Sequence, residues 1–179
     1  MISVEEALAR ILGYVHVLEP EERPLLDALG QALAEDVVAG YDIPPLDNTA
    51  MDGYAVRAVD TEGATPERPT HLKVAGELAA GHLYEGEVAP GTAVRIMTGA
   101  PLPAGADAVV PFEETDEPAG REFGSFAKPV ASVAICRAVG KGDNVRYAGE
   151  DVRKGVTVLT KGAALRPAHI GALANLGRA

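Results

Sequence analysis

Tryptophan is absent from this chain, and aromatic residues of every kind make up only 4% of it. Stacking platforms for single-stranded nucleic acid depend on aromatic rings, so that class of function is disfavoured. The core must be assembled largely from Val, Leu, Ile and Ala. Basic charge is also scarce: 16 Lys and Arg stand against 26 Asp and Glu, for a formal net charge of −10. This balance argues against a nucleic-acid partner and against an anionic membrane surface. A small anionic ligand remains compatible, because a local pocket can oppose the global sign. Cys136 is the single cysteine, which excludes an internal disulfide and gives no sign of an oxidising compartment. It lies in the apolar run Ser132-Val133-Ala134-Ile135-Cys136 and is expected to be a small core residue. No apolar run approaches membrane-spanning length, and the start Met-Ile-Ser-Val-Glu-Glu has no basic leader. A soluble, cytoplasmic chain is expected. Several decisive motifs are missing as well: there is no phosphate loop, no Gly-x-Gly-x-x-Gly, no zinc-spaced Cys/His set and no nucleophile elbow.

What is present suffices for a folded protein. The 179 residues are 47% hydrophobic and 23% charged, enough for one or two small domains with a buried core. Ser3 and Glu6 have capping-box spacing before Val4, Ala7, Leu8, Ile11 and Leu12, with Gly13 as a stop. A second, short helix is expected after Pro24, and Asp36 to Ala39 reads as a strand. From about Tyr41 to Gly142 turn residues and short β-favouring runs dominate. Strands are expected at Gly53–Ala58, His71–Leu78, Thr92–Met97, Ala108–Phe112 and Val130–Ala138. The stretch Glu113–Lys128, acidic and then Gly-rich, reads as a mobile hairpin or loop. Turns and strands alternate again after Gly142, and a last helix runs from Pro167 to a stop at Gly177. Helical ends around a β-rich middle predict an α+β chain in which a helix-containing linker domain, 1–41 plus 142–179, is interrupted by an inserted β-rich domain, 42–141.

Polar groups set among glycines mark the candidate site. Asp47-Asn48-Thr49-Ala50-Met51-Asp52-Gly53-Tyr54-Ala55-Val56 packs two acids, an amide, a hydroxyl and a turn between Pro44-Pro45 and a strand. Glycine accepts a positive φ, so Asp52-Gly53 reads as a turn that would present the Asp52 carboxylate to a ligand; an ordinary hairpin turn would need the same pair. Thr98 closes the apolar run before Gly99. Its hydroxyl either donates to a phosphate or oxyanion or bonds a nearby backbone group. Arg95 is expected to be a solvated strand residue. Arg146, beside Glu150 and Asp151, either clamps an oxyanion or forms a surface ion pair of little energetic weight. Glu150 and Asp151 either bind a divalent cation, move a proton, or cap a turn. The histidines His16, His71, His82 and His169 are scattered and read as structural.

The 47–56 segment strongly resembles the hallmark segment of the MoeA family, the molybdopterin molybdenumtransferases, whose eukaryotic relatives include the E domain of gephyrin. Arg95-Ile96-Met97-Thr98-Gly99-Ala100-Pro101-Leu102-Pro103 with Gly105-Ala106-Asp107-Ala108-Val109-Val110 resembles the second motif of that family, and Asn144-Val145-Arg146 with Gly149-Glu150-Asp151 its third. The resemblance runs in the family order over nearly the whole chain. It is weakest between about Glu117 and Ala138. It implies insertion of molybdenum from molybdate into adenylylated molybdopterin with release of AMP, Mg2+ as cofactor, and an elongated homodimer. It further implies a site in a cleft between the inserted β-domain of one subunit and a nucleotide-fold domain of the other. Molybdopterin adenylyltransferase or molybdoenzymes would be partners. By motif, Asp52, Thr98 and Asp151 become the expected catalytic residues, and Arg146, Glu150 and Asn48 the expected substrate contacts. Asp52 is also a possible metal ligand, for an ion whose identity the resemblance leaves unknown at that residue.

Two departures from the family pattern bear on this. Where the third motif usually carries a more basic run, Arg146 is followed by Tyr147 and Ala148, which argues against a wide oxyanion clamp. Family members also continue beyond the point matching Ala179 into the nucleotide-fold domain and a small fourth β-domain. The chain alone is therefore expected to be an incomplete transferase. The alternative expectation is a non-catalytic scaffold or interaction module of the same fold.

Overall fold

The structure is a computed structural model, and it describes residues 2–117 and 131–178. Among these, the elements in chain order are α1 (Val4–Leu12), β1 (Val37–Val38), β2 (Asn48–Thr49), β3 (Gly53–Val56), β4 (Thr70–Leu78), β5 (Thr92–Ile96), β6 (Ala108–Pro111), β7 (Ser132–Ile135), β8 (Val145–Arg146), β9 (Thr157–Leu159) and α2 (Pro167–Asn175). Short 3-10 turns lie at Leu25–Ala28, Ala58–Thr61 and Phe112–Glu114. No helix among the described residues is long and apolar enough to cross a membrane.

The chain divides into two compact units, residues 1–38 with 157–179 and residues 39–156. Residues 39–41 and 142–156, placed by sequence with the linker part, lie in the second unit. In the first unit Ser3 caps α1 by accepting from the Glu6 amide at 3.1 Å, and Glu6 pairs with Arg10 one turn on. None of the α1 residues is buried. β1 and β9 pair antiparallel, and the ladder continues through Leu33 and Gln31, whose backbones bond Ala163 and Leu165. The Asp36 carboxylate holds the Lys161 amide at 2.7 Å. The expected second helix is reduced to the Leu25–Ala28 turn, ended by Gly30 at φ +82°. α2 starts on Pro167, whose missing N–H costs nothing at that position.

The second unit is built on one five-stranded sheet of order β6-β3-β5-β4-β7, antiparallel except where β4 and β5 run parallel. Thr115, four residues after β6 ends, bridges to Ile135 of β7 at the opposite edge. The sheet is therefore curled, and chain covers its edges. Both faces are apolar. Tyr54, Val56, Leu72, Ala93, Val110, Val133 and Ile135 pack on one side, and Ala55, Leu78, Val88, Val94, Ile96, Ala100 and Val109 on the other. This explains why β6 reads as a continuous apolar run and β5 as an apolar run interrupted by Arg95, since a sheet covered on both faces has no solvent side. β2 and β8 form a separate two-stranded ribbon.

Strand limits lie within a few residues of those expected. The Val130–Ala138 run contributes only Ser132–Ile135, and Val130 lies outside the described residues. Of the loop expected over 113–128, residues 118–128 also lie outside them. Residues 149–151 form a turn, and Val152 bridges to Ile43. Cys136 is half-buried at the end of β7, bonding Ala134 O through its sulfur at 3.8 Å.

Candidate functional site

The three polar segments singled out in the sequence converge in the second unit, and backbone hydrogen bonds do most of the joining. Thr49 N donates to Ala100 O at 3.1 Å and Gly99 N to Thr49 O at 2.9 Å, binding the first segment to the second. Ala50 N donates to Asn144 O at 2.9 Å, and Asn48 and Thr49 stand opposite Arg146 and Val145 in the β2–β8 ribbon. Side chains brace the corners. The Asp47 carboxylate accepts from Ala148 N at 2.8 Å, and Asn144, at φ +59°, donates from Nδ2 to Val109 O at 2.8 Å. The Thr49 hydroxyl, buried, donates to Met51 O at 2.6 Å and accepts from Met51 N at 3.1 Å. This local turn aims the following residue outward.

That residue is Asp52, exposed at the mouth of β3. Its Oδ1 accepts from both the amide and the hydroxyl of Thr98, each at 2.7 Å. The Thr98 amide, then its hydroxyl, hold the Asp52 carboxyl below its ordinary value, with a smaller contribution from the positive charge of Arg95; partial burial opposes them. Asp52 is therefore a dependable anion. Thr98 spends its hydroxyl proton on Asp52, so contact with a phosphate oxygen would require that bond to exchange. Gly53 does not serve as the positive-φ turn residue expected from sequence. It is the first residue of β3, and a Cβ there would lie 2.1 Å from Val110 O. The strand needs glycine for close approach to β6.

Arg146 is paired within its own segment. Its Nη2 reaches Asp151 Oδ2 at 2.7 Å and its Nε reaches Glu150 Oε1 at 3.4 Å, while Glu150 Oε2 accepts from Tyr147 N at 3.1 Å. The hydrogen bond and charge of Asp151, followed by those of Glu150, hold the guanidinium pKa above its ordinary value. Asn48 is buried, with Nδ2 donating to Leu46 O at 3.2 Å, and shares the ribbon with Arg146 rather than offering a free amide. Among the described residues no hydrogen bond or ion pair links Asp52 to Arg146, Glu150 or Asp151.

Arg95 departs most from its expected place. It is 2% exposed, not solvated. Its Nη1 meets Glu77 Oε1 at 2.6 Å; its Nε and Nη2 meet Glu117 Oε1 at 2.9 and 2.7 Å; and its guanidinium carbon sits 4.5 Å from the centre of the Phe112 ring. Tyr54 OH donates to the other Glu117 oxygen, and the Tyr54 and Phe112 rings meet edge to face at 5.6 Å. Burial opposes the Arg95 charge, but hydrogen bonding and attraction from Glu117, then from Glu77, outweigh it and raise its pKa. No local pattern marks Glu77 or Glu117 as its partners. The available signal was a lone arginine in a run otherwise apolar on both faces.

The donor set does not fit a self-contained Mg2+ site. Among the described residues no three or more His, Cys, Asp or Glu are grouped to hold a metal ion. Asp52 Oδ1 already accepts twice, leaving Oδ2 as one ligand where Mg2+ asks for octahedral oxygen.

Residues 2–177 match the family described as MoeA N-terminal region (domain I and II). The chain is 45% identical over 179 residues to molybdopterin molybdenumtransferase 2 of Mycobacterium tuberculosis (strain CDC 1551 / Oshkosh), covering 100% of itself and 42% of that protein. It is 40% identical over 180 residues to molybdopterin molybdenumtransferase of Bacillus subtilis (strain 168), covering 99% of itself and 40% of that protein. The crystal structure of the molybdopterin biosynthesis moeA protein from Pyrococcus horikoshii OT3 superimposes with a TM-score of 0.83 at 39% identity, over 97% of this chain and 43% of that one. The chain thus spans about two fifths of the length of the curated relatives it matches.

Proposed function

Because the chain belongs to the MoeA N-terminal region family, we propose that it supplies one side of the cleft in which a molybdopterin molybdenumtransferase inserts molybdenum from molybdate into adenylylated molybdopterin and releases AMP. The observation that carries this reading is the Asp52–Thr98 pair. An exposed carboxylate is held by two donors on one oxygen, and a third bond anchors its backbone: Phe112 N donates to Asp52 O at 3.2 Å. Asp36 and Asp47 each hold one backbone amide, whereas one oxygen of Asp52 holds an amide and a hydroxyl together. With its pKa lowered, Asp52 is a weak proton acceptor and a strong fixed charge. Its role is to orient, through Oδ2, the group that attacks or leaves at the phosphoanhydride, in the manner of preorganised electrostatics. Thr98 holds Asp52 in place.

Arg146 contacts the anionic substrate by trading partners. Its ion pairs with Asp151 and Glu150 are exposed, and a phosphate or molybdate offers a guanidinium the same paired acceptors. Asp151 and Glu150 keep Arg146 in place until the substrate arrives, and Asn48 anchors the strand beside it. No step passes through Mg2+, since these residues do not form its cage. A discontinuous linker domain interrupted by an inserted β-rich domain, and the cytoplasmic location, belong to the same proposal. So does a homodimer, which the exposure of Val4, Leu8, Ile11 and Leu12 along α1 supports. That exposed apolar side also favours the second reading, a scaffold that binds molybdopterin adenylyltransferase or a molybdoenzyme without taking part in chemistry.

Calorimetric titration of adenylylated molybdopterin into the chain, with Asp52→Ala and Thr98→Ala alongside, separates the two. Micromolar binding that weakens in both variants supports the half-site. Absence of binding by the folded wild-type chain rejects it in favour of the scaffold.

A further inference from the structure

Asp52 and Thr98 lie 46 residues apart in the chain, yet their geometry is set by two neighbouring strands. Asp52 directly precedes β3, and Thr98 follows β5 by two positions. Gly53 stands opposite Ile96 in that pair, and Tyr54 opposite Arg95. The Asp52–Thr98 bonds therefore close the end of a ladder whose next cross-strand pairs are Gly53–Ile96 and then Tyr54–Arg95. Both members of that pair reach Glu117, Tyr54 through its hydroxyl and Arg95 through Nε and Nη2. The Arg95 guanidinium lies over Phe112, whose own amide donates to the Asp52 carbonyl. One buried cation thus braces both strands that carry the site and the residue that anchors the Asp52 backbone.

We infer that Arg95, with Glu77 and Glu117, is a positioning residue for the proposed site, fixing the β3–β5 register so that Thr98 presents both donors to Asp52. Arginine is suited to this because a planar fork can engage two carboxylates while its face rests on an aromatic ring. Lysine offers a single point charge and cannot reproduce both contacts. The net effect on Asp52 is geometric first; the Arg95 charge adds a smaller pull in the same direction. The inference rests on the reading of Asp52 and Thr98 as a substrate half-site, but its structural part can be tested without substrate.

The experiment uses the full chain as wild type, Arg95→Lys, Asp52→Asn and the double variant. Amide NMR spectra establish that each is folded. The pH titration of the Thr98 amide resonance then reports the Asp52 carboxylate directly. The midpoint should rise towards the ordinary aspartate range in Arg95→Lys, and the pH-dependent shift should vanish in Asp52→Asn. In the calorimetric titration with adenylylated molybdopterin, Arg95→Lys should weaken binding by about tenfold, because a slightly misplaced contact is a largely wasted one. The double variant should bind no worse than Asp52→Asn alone, which is the non-additivity expected of residues acting through one another. An unmoved Thr98 midpoint, or losses that simply add, overturns the inference. If Arg95→Lys does not fold, Glu77→Gln takes its place with the same criteria, since the Glu77 side chain is 21% exposed and its loss is milder. Failure of the wild-type chain to bind defeats the half-site reading, while the Thr98 titration still decides whether Arg95 positions Asp52.

Discussion

Thr98 gives both of its hydrogen-bond donors, amide and hydroxyl, to one carboxylate oxygen of Asp52, each at 2.7 Å. The two donors are separable by mutation. Thr98→Val removes the hydroxyl and keeps the amide, which is the larger influence on the Asp52 pKa. The Asp52 titration midpoint, followed by carboxylate carbon NMR, should therefore move up only part of the way to its ordinary value. A full return would mean that the amide bond depends on the hydroxyl.

The same pair makes stability depend on pH in a definite direction. The native pKa of Asp52 lies below its unfolded value, so its stabilising contribution is present above the unfolded aspartate range. It is lost as pH falls through the native value. Urea unfolding of wild type and Asp52→Asn across a pH series should show a gap that is constant near neutrality and closes in acid.

Two glycines of the site answer to different constraints, and alanine should tell them apart. At Gly53 a Cβ would stand 2.1 Å from Val110 O and 2.9 Å from its carbonyl carbon, so β3 and β6 must separate. Overpacking of backbone against backbone costs about 1–3 kcal/mol or more. Gly99 has open space around it but a φ of +82°, so Gly99→Ala bears only the left-handed penalty of about 1–2 kcal/mol. Asparagine should be tolerated at 99 and not at 53, as denaturant midpoints would report.

These contrasts also mark what could be read from the sequence. The strands were legible because their apolar runs are short and bounded by Gly and Pro, and α1 because Ser3 and the apolar spacing agree. The motif residues were recognisable as polar groups among turns. Their partnership was not, since Asp52 and Thr98 meet through strand register 46 residues apart. Gly53 reads as a turn residue because proximity to a carbonyl leaves no mark on local sequence. Arg95 reads as solvated by the ordinary logic of a charge within a strand. That logic fails here because the sheet is covered on both faces, and its partners lie 18 and 22 residues away.

The buried Arg95 cluster predicts a stability effect independent of any ligand. Arg95→Ala leaves the carboxylates of Glu77 and Glu117 facing an apolar cluster without their cation, and removing one partner from a buried pair costs about 3–5 kcal/mol. Combining Arg95→Met with Glu117→Gln removes charge of both signs and should recover part of that loss. Urea midpoints of the single and double variants check this. If the double variant is no better than Arg95→Ala, the loss lies in packing on Phe112 or in the Glu77 charge that the double variant retains.

Arg146 offers the opposite case, a pair whose value should appear only with substrate. Its bonds to Asp151 and Glu150 are exposed, and exposed pairs are screened by salt and costly in side-chain freedom. Arg146→Ala should therefore leave the melting temperature of the chain unchanged. If the guanidinium exchanges a carboxylate for a phosphate, the same substitution should weaken binding of adenylylated molybdopterin and flatten its dependence on salt concentration. Arg146→Lys should restore the salt dependence but only part of the affinity, because an ammonium keeps the charge and loses the fork. Glu150→Gln and Asp151→Asn move in the other direction, since each removes a competitor for the guanidinium. Tighter binding in those variants would identify the acids as holders of Arg146, whereas weaker binding would give them a contact of their own with the substrate. Calorimetry at two salt concentrations distinguishes the outcomes, and equal affinity in wild type and Arg146→Ala would reduce the arginine to a surface ion pair.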